Sequence, residues 1–274
     1  MTLDRFSISE LIFNKLEANT SFLKSQFSET KNSVSYFFID DLLPEDIANI
    51  IYNSFPIQQD TILKKSLKEH KHIAVQMNKY EPLLEEVIYA FQQPKVVRLI
   101  EKICGFKNLE PDKHLYAGGL SMMKKDNFLN PHLDNSHDKD RNKWRALNLL
   151  YYITPDWNIE NGGNLELWPN GPKENQVTIH SKFNRLVVMI THNKSWHSVS
   201  KVTVNGCRCC VSNYYFSETP VLENSKFHVT TFRGRPNEKI RDFYLKIDSF
   251  ARMKIRKIFK KGIIENPHKY KKEA

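Results

Sequence analysis

The spacing of apolar residues changes once along this chain, at Gly105, and that change limits the folds open to it. Before it, Leu83, Leu84, Val87, Ile88 and Phe91 recur at helical spacing through Glu81–Gln93. A second helix follows Pro94 through Val96–Ile103, and Gly105 stops it. An earlier helix opens at Leu43-Pro44-Glu45-Asp46, with a proline and acids in its first turn, and runs to about Phe55. Ser35–Asp41 reads as an aromatic strand, and the polar stretch before it carries one short helix.

After Gly105 the pattern is extended. Candidate strands are His114–Lys124, Ala146–Ile153, Asn164–Trp168, Gln176–Ile179, Arg185–Ile190, Ser198–Val204, Cys207–Phe216 and His228–Phe232. Thr154-Pro155-Asp156, Asn161-Gly162-Gly163, Pro169-Asn170-Gly171-Pro172 and Asn205-Gly206 separate them as turns. Short strands after a helical half predict an α+β chain with a mainly β core. The fitting architecture is a double-stranded β-helix (jelly roll) with supporting helices. Asn205-Gly206 suits a type I′ turn, so Ser198–Val204 and Cys207–Phe216 are expected to pair as a hairpin.

Composition narrows the class. With 40% hydrophobic and 26% charged residues the chain has the balance of a globular protein with a sizeable core. No apolar run reaches the ~18 residues of a membrane span, and the start lacks a signal-peptide pattern, so a cytoplasmic protein is expected. Cys104 stands alone while Cys207, Cys209 and Cys210 crowd together, which suits reduced thiols better than a disulfide framework. Of the net charge of +10, seven units fall in Arg241–Ala274, where eleven Lys/Arg meet four Asp/Glu. The basicity therefore belongs to the tail.

The chemistry-bearing motif is Asn130-Pro131-His132-Leu133-Asp134-Asn135. On an extended segment His132 and Asp134 point to one face, because strand side chains alternate. His197, in Ser195-Trp196-His197-Ser198-Val199, is the third candidate. Two histidines and one carboxylate on one face of a metal form the ligand set of non-haem Fe(II) oxygenases. Strand phase puts Arg208, Cys210, Ser212, Tyr214 and Phe216 on one side, and Asn148, Leu150 and Tyr152 on one side of an earlier strand. An arginine inside a barrel needs an anion, and a carboxylate fits its fork. A nearby phenol such as Tyr152 can donate to the same carboxylate.

Taken in order, these elements resemble the prolyl-4-hydroxylase-like 2-oxoglutarate/Fe(II) dioxygenases. His-x-Asp is followed by Arg145–Trp157 with its Tyr151-Tyr152 pair, Gly162–Pro169, Phe183-Asn184-Arg185-Leu186, His197-Ser198-Val199, and Arg208 through Tyr214-Tyr215-Phe216. Phe38-Ile39-Asp40-Asp41-Leu42-Leu43-Pro44 resembles the family's entry strand and helix, so the resemblance spans roughly residues 35–216. It implies iron ligation by His132, Asp134 and His197, with Arg208 and Tyr152 on the distal carboxylate of 2-oxoglutarate. Asn148 matches a further position lining the cosubstrate. Implied cofactors are Fe(II), 2-oxoglutarate and O2, with ascorbate as reductant in vitro. Implied chemistry is hydroxylation of an unactivated C–H bond, with 2-oxoglutarate going to succinate and CO2. Asp134 favours hydroxylation over halogenation, since related halogenases carry a small residue there. Two departures stand out. Met122 occupies a position where many members carry a tyrosine, and the interval from His197 to Arg208 is long.

The boundaries that follow are an N-terminal extension over 1–34 and a dioxygenase domain over 35–235. Within that domain, helical support runs over 43–105 and the jelly-roll core over 113–233. A basic amphipathic helix and tail occupy 236–274. In the tail, Ile240, Phe243, Tyr244, Ile247, Phe250, Ala251, Ile255 and Ile258 recur at helical spacing among basic residues. The ordinary reading docks this apolar stripe on the domain, and the alternative is contact with an anionic surface. Of the other histidines, His137 and His180 read as solvated loop residues and only His192, five residues before His197, is a reserve metal ligand, while Arg145 and Arg185 are reserve cations for the cosubstrate. The cysteine cluster suits zinc poorly, because Cys210 faces away from Cys207 and Cys209. Two other classes fit some of these features: a non-catalytic jelly-roll binding module, and a nucleic-acid- or membrane-associated protein that uses the basic tail. The primary substrate is open among a protein side chain (prolyl or other), an amino acid, and a sugar or lipid intermediate.

Overall fold

Gly105 ends the helical half as its position suggests, adopting φ +75°, where a side chain would be strained. The helix it caps, α5 (Pro94–Cys104), starts on a proline and buries Val96, Val97, Leu99, Ile100 and Ile103. The computed structural model describes residues 3–30, 34–259 and Tyr270. Four further helices precede α5: α1 (Arg5–Ala18), α2 (Thr20–Glu29), α3 (Glu45–Asn53) and α4 (Pro82–Ala90). The first 30 residues thus hold two helices, where the sequence suggested one short one. Asp4 and Ser7 form a reciprocal cap at the start of α1. Ile8, Ile12, Leu16 and Leu23 are fully buried in the same cluster as Leu84, Val87 and Ile100.

Thirteen strands make one curled, mainly antiparallel sheet. They are β1 (Tyr36–Ile39), β2 (Ile62–Lys65), β3 (Glu69–Ala74), β4 (Glu110–Pro111), β5 (Gly119–Lys124), β6 (Phe128–Leu133) and β7 (Trp144–Tyr152). The rest are β8 (Leu165–Leu167), β9 (Val177–Ile179), β10 (Arg185–Ile190), β11 (His197–Val199), β12 (Cys207–Ser217) and β13 (Thr231–Phe232). The run β1-β10-β7-β12-β5 forms the larger layer, backed by the helices. Through β3 the sheet curls into the smaller layer β6-β11-β8-β9, and the core is the jelly roll that the strand pattern predicts. Strand phase holds in both central strands. Leu147, Leu149 and Tyr151 of β7 and Cys209, Val211 and Tyr215 of β12 enter the core under the helices, while their alternates face the interior of the roll.

The hairpin at Asn205-Gly206 does not form. A type I′ turn needs positive φ at both central residues, and neither Asn205 nor Gly206 has it. The first expected strand shortens to β11, which pairs with β6 and β8 in the smaller layer. The chain then crosses over, and β12 pairs with β5 and β7 in the larger one. Gly206 is used for close approach instead, since a Cβ there would meet the Trp157 ring at 3.2 Å.

A last helix, α6 (Lys239–Ile258), lies beside β13. It buries only Leu245 and Ser249, and its apolar stripe faces outward, contrary to the ordinary docked reading of the tail. Residues 260–269 and 271–274 of that tail lie outside the described residues. Tyr270 is buried, and its hydroxyl donates to Glu85 on α4 at 2.8 Å. No described helix is long and apolar enough to cross a membrane.

Candidate active site

The interior of the roll opens as a cleft of about 450 Å³ between the two layers. His132 lies on β6 and His197 on β11, directly opposite each other in the strand register. Asp134 follows two residues after His132, on the same face. One donor atom from each of the three lies within 4.8 Å of the others, and no other such group is found among the described residues. Each Nε2 is 3.7 Å from an oxygen of Asp134. Backbone carbonyls hold the opposite ring nitrogens: His132 Nδ1 lies 2.9 Å from the Asn130 oxygen and His197 Nδ1 2.9 Å from the Ser195 oxygen. An Nδ1–H donated to a carbonyl leaves the Nε2 lone pair free to ligate and fixes the ring's orientation, as is usual for metal-bound histidine.

The surroundings keep two of these donors, His132 and Asp134, in their metal-binding charge state. Burial pushes the His132 imidazolium down to about 3, and the neighbouring His197 adds to the effect. Burial alone would raise the Asp134 carboxyl, but Arg145 and the two imidazoles hold it well below the usual carboxylate range. Arg145 Nη1 is 3.2 Å from Asp134 Oδ2, and its guanidinium lies 4.3 Å over the Tyr214 ring. The Phe232 ring stacks on His132 at 5.1 Å. Behind His197, Trp168 Nε1 donates to Ser198 Oγ, and that hydroxyl donates to Glu166, which also receives Arg235 at 2.7 Å. Three ligand atoms, two oriented imidazoles and an ionised carboxylate are what a divalent iron site requires, so the residues fit that ion.

At the other end of the cleft Arg208 is 3% exposed, yet no carboxylate pairs with it among the described residues. Nη2 meets Met123 Sδ at 2.7 Å, the Cys210 thiol lies in hydrogen-bond reach of the guanidinium, which sits 5.4 Å over the Tyr152 ring, and Nε has no partner. Burial raises the Tyr152 phenol above its ordinary range, with Cys210 adding to the rise. Asn148 lines the same wall, and its Oδ1 has no hydrogen-bond partner. A buried cation aimed into a cleft without an internal anion is costly unless an anion joins it.

The other candidates fall elsewhere. His137 packs on Phe227, His180 hydrogen-bonds the Trp157 carbonyl, and His192 accepts from the Lys194 amide. Arg185 pairs with Asp40 outside the cleft. Arg145 is inside it, but as the partner of Asp134. Cys209 is in the main core and Cys210 in the cleft wall, so the cysteines do not converge on a metal. Met122 packs in the main core, while Ser121 lines the cleft and Met123 meets Arg208. The missing tyrosine therefore leaves no gap at Met122 itself. The segment around His132 that the sequence marks as extended is β6, whereas the β2–β3 hairpin, whose Lys64, Lys68 and Lys71 line the cleft mouth, has no counterpart among the expected strands. The hairpin's only signal was a Lys/His-rich alternation with little apolar content.

Residues 118–216 match the model of the 2OG-Fe(II) oxygenase superfamily, and they hold all six of these site positions. A prolyl-4-hydroxylase from Pseudomonas putida aligns in structure over 71% of this chain and 98% of its own, with 15% identity and TM-score 0.53. A Trichoplax adhaerens prolyl hydroxylase, solved with a hypoxia inducible factor peptide, covers 74% and 92% at 19% identity and TM-score 0.53. Prolyl 4-hydroxylase from Phytophthora capsici covers 94% and 79% at 16% identity and TM-score 0.56. No curated protein matches the chain. At these identities the structural likeness carries the fold, and the family match is a likeness over residues 118–216. The resemblance read from the sequence is borne out at that level.

Proposed function

We propose that this protein is an Fe(II)- and 2-oxoglutarate-dependent dioxygenase that hydroxylates an unactivated C–H bond. The observation that carries this reading is a cleft with complementary ends inside the matched segment. One end has three donors for a divalent cation, and the other has a buried guanidinium without an internal anion. His132, Asp134 and His197 hold Fe(II). Arg208 takes the distal carboxylate of 2-oxoglutarate as a bidentate fork, helped by the Tyr152 hydroxyl, and Asn148 lines the chain of the keto acid.

When bound, the iron supplies the oxidising chemistry by which O2, 2-oxoglutarate and R–H become R–OH, succinate and CO2. The residues' own work is binding and orientation. The two backbone-tied imidazoles present fixed lone pairs, and Arg145 holds Asp134 ionised and in place. Leu165, Val199 and Phe232 give the donor end apolar walls that limit water. The primary substrate enters by the lysine-rimmed mouth. A protein prolyl or other side chain, an amino acid, and a sugar or lipid intermediate are the classes to screen.

The test is succinate release from 2-oxoglutarate with Fe(II), ascorbate and air, across a panel of those classes. Substrate-stimulated succinate is expected from the wild type and none from His132→Ala. Wild-type protein with metal bound that makes no succinate above a metal-free control sinks the proposal.

A further inference from the structure

The side of α6 that faces away from the domain has an unusual composition. Within α6 every exposed residue is aliphatic, aromatic or lysine. Ile240 is 78% exposed, Phe243 60%, Ile247 52%, Phe250 66% and Ile258 76%, with Tyr244 and Ile255 beside them. At 100° per residue these side chains form one continuous face. Lys254 lies within it, and Lys239, Lys246 and Lys257 border it. Both acids of the helix lie off this face and are engaged: Asp242 with Arg233 at 2.5 Å, and Asp248, about a third exposed at its edge, with Lys68 at 2.8 Å. A face this apolar is not left bare without a partner.

We propose that this face docks the protein on an anionic lipid bilayer surface, with α6 lying in the plane of the headgroups. The pattern is that of an interfacial helix, with large apolar side chains directed to the acyl boundary and lysines placed to meet lipid phosphates. Charge decides between this occupant and a second copy of the chain. A two-fold interface apposes the same patch from both partners, and that would bring lysines against lysines with no acid on the face to pair them. The proposal is independent of the chemistry in the cleft but bears on its placement. Arg252 of α6 lines the cleft and Lys68 at its mouth is tied to Asp248. The docked face therefore lies about one helix diameter, ~10 Å, from that rim.

The test is flotation of the full-length protein with vesicles of equal parts phosphatidylglycerol and phosphatidylcholine, and with phosphatidylcholine alone. Wild type is expected to float with the anionic vesicles only, and to be released by high salt. The combined variant Phe243→Ser, Ile247→Ser, Phe250→Ser should melt like wild type, since these side chains are exposed. It should lose at least about tenfold in partitioning, because each buried methylene group contributes to the binding. Lys254→Glu with Lys257→Glu, which leaves the apolar face intact, should lose about fivefold or more per lysine. Three results would each overturn the proposal. One is absence of wild type from anionic vesicles, and another is equal flotation on phosphatidylcholine alone. The third is a concentration-dependent dimer in sedimentation velocity that the triple variant abolishes.

Discussion

Two buried arginines face the same cleft and are held in opposite ways. Arg145 has an internal carboxylate, Asp134, 3.2 Å away, and an aromatic face beneath it. Arg208 is as deeply buried but has sulfurs and a ring for company, and no carboxylate among the described residues. The first is paired in charge with Asp134, although its Nε, like that of Arg208, has no hydrogen-bond partner. The second has no internal carboxylate among the described residues, and under the proposed function a guest would bring one. A buried charge thus reports its role through its partner more than through its burial.

The largest effect expected from breaking this contrast is at Asp134. Asp134→Ala removes a donor and strands Arg145, so anaerobic Mn(II) titration should show affinity lost by more than ~100-fold, beyond what outer-shell changes cost. Undiminished affinity removes Asp134 from the ligand set. Arg145→Ala keeps all three donors but frees the carboxylate, and metal affinity should fall ~10–100-fold, the range for a lost orienting partner. An unchanged affinity would mean that Arg145 does not position Asp134.

At the other end, Arg208→Ala should weaken 2-oxoglutarate by about tenfold or more with metal saturating, since a hydrogen bond to a charged group contributes ~1.5–3 kcal/mol. Arg208→Lys should recover only part, lacking the fork. Metal affinity should stay put in both variants. If Arg145→Ala weakens 2-oxoglutarate as much as Arg208→Ala does, the contrast collapses.

Protons should separate the two ends as well. His132 titrates at about 3 in the folded apoprotein, against an ordinary 6.5. The unfolded chain therefore binds a proton through that window and the folded chain does not. The stability this group contributes is full above 6.5 and is lost as pH falls toward 3, by ~1.4 kcal/mol per pH unit for one such group. Urea midpoints of the apoprotein should fall across this window, and a flat profile would contradict the burial of His132. The smallest change is Tyr152→Phe, which should cost 2-oxoglutarate binding ~1 kcal/mol, one hydrogen bond, in the same anaerobic titration. A loss equal to that of Arg208→Ala would instead mean that the phenol is the main anchor.

Much of this architecture was legible because it rests on periodicity. The phase of β12 put Arg208, Cys210, Ser212 and Tyr214 on the cleft side, and the pattern before Gly105 located α4 and α5 to within three residues at each end. What escaped notice depends on tertiary pairing. Ile62–Ala74 has too little apolar content to announce a hairpin, and it is ordered through pairing of β3 with β5 and β6. Asn205-Gly206 carried a strong local turn signal, and the crossover between layers overrode it. The ion pair of Arg145 with Asp134 joins residues on different elements, and no local rule anticipates it. α6 was read correctly as a helix, but not which side of it would be covered.

The cross-strand pairing of His197 with His132 also has a consequence for how the chain finds its fold. Sixty-five positions separate the two residues in the sequence, so this contact belongs to the slow, long-range part of assembly. β11 is only three residues long and β6 only six, so few ladder hydrogen bonds fix their alignment. A slip of one residue would turn an imidazole to the far side of the layer. A divalent ion that binds only the correct alignment stabilises it by mass action. Refolding with metal present should therefore select the native register from its misaligned neighbours, making the ion an editor of strand pairing before it serves any chemistry.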